Sequence, residues 1–131
     1  MLFIPQVNAA STQRVQYLLH LFDMNEAAFA YHRHCVGPNE KINSKFLRGL
    51  EFVADELYEA VQEDEPEMST EFIKSRIMER RYSIQYSFDR AHIQGGCGSR
   101  EYAKAKPHYE DFSTFSVSEI RKIVRRETKT K

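Results

Sequence analysis

Phe46, Leu50, Val53, Leu57 and Val61 recur at steps of four, three, four and four, with Glu51, Asp55, Glu59 and Gln62 on the other positions. At about 3.6 residues per turn this spacing gathers the apolar residues into one stripe and the polar ones around the rest. A helix of that kind has to lay its stripe against other amphipathic elements, so the period predicts a helix bundle.

Neighbouring segments extend the pattern. Ser11-Thr12 can cap a helix carrying Val15, Leu18, Leu19 and Phe22 at i, i+3, i+4 and i+7. Asp23 with Glu26 three places on reads as a second start, opening Ala27 to Tyr31, and Gly37-Pro38 closes that stretch. The helix bearing Phe46 is expected to begin at Asn43 or Ser44 and to end in the acidic run from Glu63 to Glu67. Ser69-Thr70 caps a further segment whose Ile73, Ile77, Ile84, Phe88 and Ala91 share a helical face. Within it, Tyr82, Ile84, Tyr86 and Phe88 also alternate with Ser83, Gln85, Ser87 and Asp89, the period of a half-buried strand. Only weak partner strands exist, so helix is the preferred reading. Residues 99–114 read as irregular chain anchored by Tyr102, Tyr109 and Phe112. Ser116-Val117-Ser118-Glu119 forms a capping box for a last helix, and residues 128–131 read as a frayed tail. The expected fold is mainly α, an irregular bundle of four or five helices in a single domain, 1–131. The alternative is an α+β fold with a strand near 80–89.

The 131 residues suit one core. An apolar share of 41% argues against disorder. Nineteen basic and nineteen acidic side chains give a net charge of zero, which excludes a globally basic nucleic-acid binder. The zero is a cancellation. Residues 1–67 hold five basic groups against eleven acids, and residues 68–131 hold fourteen against eight. The decisive question is whether these two poles meet inside the fold or the basic one faces a polyanionic partner.

Compartment follows from cysteine usage and hydropathy. Cys35 and Cys97 stand 62 residues apart without a CxxC pair, far below the density of a disulfide-stapled secreted scaffold, although one disulfide is compatible with them. Met1 to Pro5 is apolar but lacks a basic lead, so no signal peptide is expected. No stretch suits a membrane span. Cytoplasmic residence, or nuclear in a eukaryote, is the expectation.

Candidate chemistry is sparse. His32, His34 and Cys35 cluster, but His32 and His34 point about 200° apart on a helix, and too few ligands converge for zinc. No metal or cofactor is therefore expected. Gln94-Gly95-Gly96-Cys97-Gly98-Ser99-Arg100 resembles the nucleophile run of papain-like cysteine proteases over seven residues, with Arg100 where that family has its reactive cysteine. Leu21 to Ala30 resembles the opening of a repressor-type helix-turn-helix. Arg33 and His34 stand where that motif continues with an apolar residue and then the turn glycine, which arrives here only at Gly37. No pair of carboxylates is singled out for acid–base work, so no catalytic residue is assigned.

The favoured expectation is a small non-enzymatic regulatory or adaptor protein acting by protein–protein contact, including self-association. Phe3, Ile4, Tyr31, Tyr58 and Tyr86 are its candidate interface residues. The alternative is a nucleic-acid-binding regulator using Arg76, Arg80, Arg81, Arg121, Lys122 and Arg125 for phosphates, with interleaved tyrosines Tyr82, Tyr86, Tyr102 and Tyr109 for stacking. A third reading is a small enzyme using Cys97 as nucleophile or a bound metal.

Overall fold

Three side-chain caps set where the helices begin. Asn39 Oδ1 accepts from Ile42 N at 3.1 Å, and Ser69 Oγ accepts from Phe72 N at 3.1 Å. Ser116 and Glu119 close the capping box reciprocally, at 3.1 Å for Glu119 N to Ser116 Oγ and 2.8 Å for Ser116 N to Glu119 Oε1. A computed structural model describes residues 9–37 and 39–129, with side chains between Gln13 and Arg125. Its helices are α1 (Ala9–Tyr31), α2 (Glu40–Asp64), α3 (Thr70–Gly95), α4 (Arg100–Phe112) and α5 (Val117–Lys129). A π-helical turn, His32–Val36, prolongs α1, and a 3-10 turn, Gly96–Gly98, links α3 to α4. There is no strand among the described residues. The fold is an irregular, mainly α bundle, as the periodicity predicts.

Three local expectations need correction, and at 80–89 the preferred helix holds over the strand alternative. α1 runs through Asp23 without a break, because Asp23 and Glu26 are taken by arginines of α3 instead of capping their own backbone. α2 begins at Glu40, capped by Asn39, earlier than Asn43 or Ser44. Residues 80–89 are helix: Arg80, Arg81 and Gln85 reach α1 from one side of α3, while Tyr82 and Tyr86 face outward. Residues 100–112 form α4 around an internal Pro107, held by buried Tyr102, Ala105 and Phe112.

Contacts fix the directions of the first three helices. Arg14 of α1 pairs with Glu56 and Glu63 near the end of α2, whereas Phe29 meets Phe46 near its beginning. These two helices are therefore antiparallel. Between α1 and α3 the partner numbers rise together, Asp23 with Arg80, Glu26 with Arg81 and Gln85, His34 with Asp89, so these two run in the same direction. A disulfide joins Cys35 to Cys97 and ties the end of α1 to the α3–α4 turn, with the two Cα atoms 5.8 Å apart.

The apolar core lies mainly between α1 and α2. Val15, Leu18 and Phe22 meet Phe46, Val53, Leu57 and Val61, with Ile73 and Ile77 from the first half of α3. Ile120 and Val124 of α5 cover the same core. Gly49 lets α5 approach α2, since a Cβ there would stand 2.9 Å from Ile120 Cδ1. Between Ile77 and Ala91 no residue of α3 is fully buried; half-buried Ile84 packs on the core and Phe88 on Tyr102, so apolar packing holds this half less than the first.

Candidate interaction site

A polar seam adds to this packing along the second half of α3. Arg80 forks onto Asp23, with Nε to Oδ1 and Nη2 to Oδ2 both at 2.8 Å. One turn on, Arg81 Nε donates to Glu26 Oε2, and Gln85 Nε2 donates to Glu26 Oε1 at 2.8 Å and to its backbone carbonyl at 3.1 Å. Arg33 donates to Gln85 Oε1 and to Asp89 Oδ1, and His34 Nε2 lies 2.8 Å from the same Asp89 oxygen. His34 stacks on His92 at 4.6 Å, and the disulfide stands beside them in the chain.

Burial decides the protonation energetics of this seam. Burial pushes the Glu26 carboxyl above the ordinary glutamate range, and the charge of Arg81 and the bonds from Arg81 and Gln85 offset this only in part. At Asp89 burial acts upward too, but there the bond from His34 and the charge of Arg33 win and hold the carboxyl below its usual range. Burial, with the negative charge of Asp89 nearby, pushes the Tyr102 phenol up to about 12; its hydroxyl donates to the Phe88 carbonyl at 2.8 Å. Tyr102 is thus a structural anchor that stays neutral at physiological pH.

A cleft of about 580 Å³ opens beside the seam, where α1, α2 and α3 meet. Its lining grades from buried Leu50 and Glu26 through half-buried Phe29 and Ala54 to exposed Leu47, Glu51 and Tyr82. The size falls within the range of ligand and side-chain pockets. Glu26, Gln85 and Asp89 are already bonded to one another's neighbours, so the surface left for an incoming group is largely apolar.

Tyr82 also belongs to a second feature. Tyr82, Tyr86 and Ile93 are 64%, 61% and 82% exposed. At about 100° per residue they fall within roughly 40° of one another, along about 17 Å of α3. The outer face of this helix is therefore an aromatic and aliphatic stripe directed at solvent. Arg90 borders it, its guanidinium 5.9 Å from the Tyr86 ring centre, and Glu79 lies on the same side one turn before Tyr82.

Among the described candidate interface residues, Tyr86 alone lies on this stripe, beside Tyr82, which the sequence offered only for stacking. Tyr31 packs inward against Tyr109 and Tyr102, at 5.2 and 6.4 Å between ring centres. Tyr58 is half-buried, its hydroxyl 3.1 Å from Thr70 Oγ1 and its ring under Lys74. Phe3 and Ile4 lie outside the described residues. Of the candidate phosphate ligands, Arg80 and Arg81 direct their guanidinium groups into the seam, and Arg121 lies over Phe52 of α2 at 5.2 Å. Arg76 stands over Phe72 and 3.6 Å from Glu79, while Lys122 and Arg125 are exposed on α5. Cys97 is bonded to Cys35, so the oxidised protein offers no thiol nucleophile there. No group of three metal-type ligands converges among the described residues.

Sequence reasoning missed Leu47, Gln85 and Ile93, and took Tyr82 only as one of several interleaved tyrosines. The signal for the stripe was present in the spacing 82, 86, 93, but it was masked by the alternation that reads as a strand. Nothing local marks Leu47 or Gln85, because each acquires its role from a neighbouring helix. No protein-family model, curated protein or solved structure matches this chain.

Proposed function

We propose that this chain is a non-enzymatic protein-interaction module, regulatory or adaptor in role, whose working surface is the outer face of α3 with the adjoining cleft. One observation carries the reading: the alignment of exposed Tyr82, Tyr86 and Ile93 along one helical stripe. Tyrosines exposed together are costly to leave in water and are enriched in interface cores. Leu47, 48% exposed across the cleft from Tyr82, extends the apolar surface onto α2.

The electrostatic pattern supports the same reading. Arg80 and Arg81 belong to the basic half, and Asp23 and Glu26 to the acidic one. The poles meet inside the fold along the α1–α3 seam, which leaves fewer cations for a polyanion. The nucleic-acid alternative rests on Arg121, Lys122 and Arg125 of α5.

Affinity capture from source extract, with and without nuclease, tests the choice. A protein retained by the wild type and lost with Tyr82→Lys/Tyr86→Lys, nuclease notwithstanding, is the expected result. Capture abolished by nuclease and by Arg121→Ala/Lys122→Ala/Arg125→Ala would sink the proposal in favour of nucleic acid.

Compartment is part of the proposal. No helix among the described residues is long and apolar enough to cross a membrane. The Cys35–Cys97 bond supports oxidising surroundings over the reducing cytoplasm expected from cysteine density, because cytosolic thiol systems keep such pairs open.

A further inference from the structure

We infer that the partner seated on the α3 face is a second copy of this chain, paired antiparallel along α3 about a two-fold axis. The inference rests on that face being an interaction surface and names its occupant.

Three observations carry it. The net charge is zero, so two copies approach without long-range repulsion. The stripe is self-complementary in the sense a two-fold contact requires. When two α3 helices cross antiparallel near residues 84–85, Glu79 of each copy stands opposite Arg90 of the other, forming two unlike-charge pairs at the ends of the contact. Tyr82 and Tyr86 of both copies gather between those pairs, and Ile93 of each comes within a turn of Phe72 of the other, itself 45% exposed. A parallel pairing would instead set like residues against like, Glu79 on Glu79 and Arg90 on Arg90.

The cleft gives the pairing a place to anchor. Tyr82 lines it, and the antiparallel register sets Tyr82 of the second copy level with residue 87, on the side of α3 that carries Gln85 and Asp89 of the lining. An aromatic ring entering a largely apolar recess is the usual form of a hot spot. Each copy offers one cleft and one Tyr82, so a closed dimer satisfies both and leaves neither for a third chain.

Light scattering across micromolar concentrations should give a mass near twice 15.4 kDa. Glu79→Arg and Arg90→Glu should each weaken the dimer tenfold or more. An equimolar mixture of those two variants should restore it, because each mismatched end then regains an unlike pair. Tyr86→Glu, on the solvent side of the helix, should give a monomer with unchanged helical circular dichroism. A wild type monomeric at every concentration overturns the inference, as does a dimer indifferent to Tyr86→Glu, or single variants that fail to rescue each other. A monomer that still captures a different protein through Tyr82 and Tyr86 overturns only the identity of the partner and leaves the interaction surface standing.

Discussion

His32 is 2% exposed, and its Nδ1 is buried without a hydrogen-bond partner, while its ring packs on Phe46 and Tyr109 at 5.5 and 6.1 Å. Burial holds its pKa below the ordinary 6.5, so the folded protein keeps the ring neutral where the unfolded chain already protonates. The unfolded state then binds more protons. His32's contribution to stability is complete above about pH 6.5 and is lost as the pH falls through the depressed folded value. His108, lowered by burial and by His20, acts in the same direction. His32→Phe keeps the aromatic packing and removes the titration, so its melting temperature should fall less than that of the wild type between pH 7 and 5. Parallel melting curves for the two proteins would contradict this account. Asn25, two turns earlier on the same side of α1, poses a related problem. It is 1% exposed, and both atoms of its amide lack hydrogen-bond partners. An unsatisfied buried amide costs about 1–3 kcal/mol, so Asn25→Leu should raise the midpoint of urea unfolding. A lowered midpoint would mean that the amide has a stabilising contact after all.

At the scale of the element, α3 is two helices in energetic terms. Its first half is fixed by Ile73 and Ile77 in the core, its second mainly by charged and amide groups against α1, with Ile84 and Phe88 as its half-buried apolar contacts. Breaking a buried pair costs more than the pair contributes, because it leaves a charge without its partner. Arg81→Met should therefore destabilise by about 3 kcal/mol, while Glu26→Met/Arg81→Met should recover most of that loss. Chemical unfolding of the three proteins measures it, and a double variant as weak as the single one would show that the pair is not the cause. This seam also explains what was legible beforehand. Caps at Ser69 and Ser116 and the stripe from Phe46 to Val61 depend on residues within one or two turns, so sequence spacing reveals them. Asp23 and Glu26 look like a local cap because their true partners, Arg80 and Arg81, are more than fifty positions away. The same distance hides the site: Tyr82 reads as a strand residue until α1 is seen on the opposite side of its helix.

For the whole molecule, the cancellation of charge between the halves becomes a structural statement, since opposite poles cross from α1 to α3. The disulfide reinforces that crossing from its far end. It encloses all of α2 and α3 between residues 62 apart in sequence, linking a turn at the end of α1 to the glycine-flanked Cys97. A loop of this length, on the chain-entropy account, gives the bond a stabilising value of roughly 4 kcal/mol, acting on the unfolded chain. For a chain of this size each kcal/mol shifts melting by about 3–5 °C. Cys35→Ser/Cys97→Ser should thus melt roughly 10–20 °C below the oxidised wild type, and wild type treated with a dithiol should match it. The core of α1, α2 and α5 contains neither cysteine, so the reduced protein should keep most of its helical circular dichroism at low temperature. The part expected to loosen is the second half of α3, where only Ile84, Phe88 and Ala91 supply apolar packing once the link is lost. Hydrogen exchange should accelerate first between residues 84 and 98. Uniform acceleration along the chain would instead make the bond a staple of the entire fold, and unchanged melting would make it incidental.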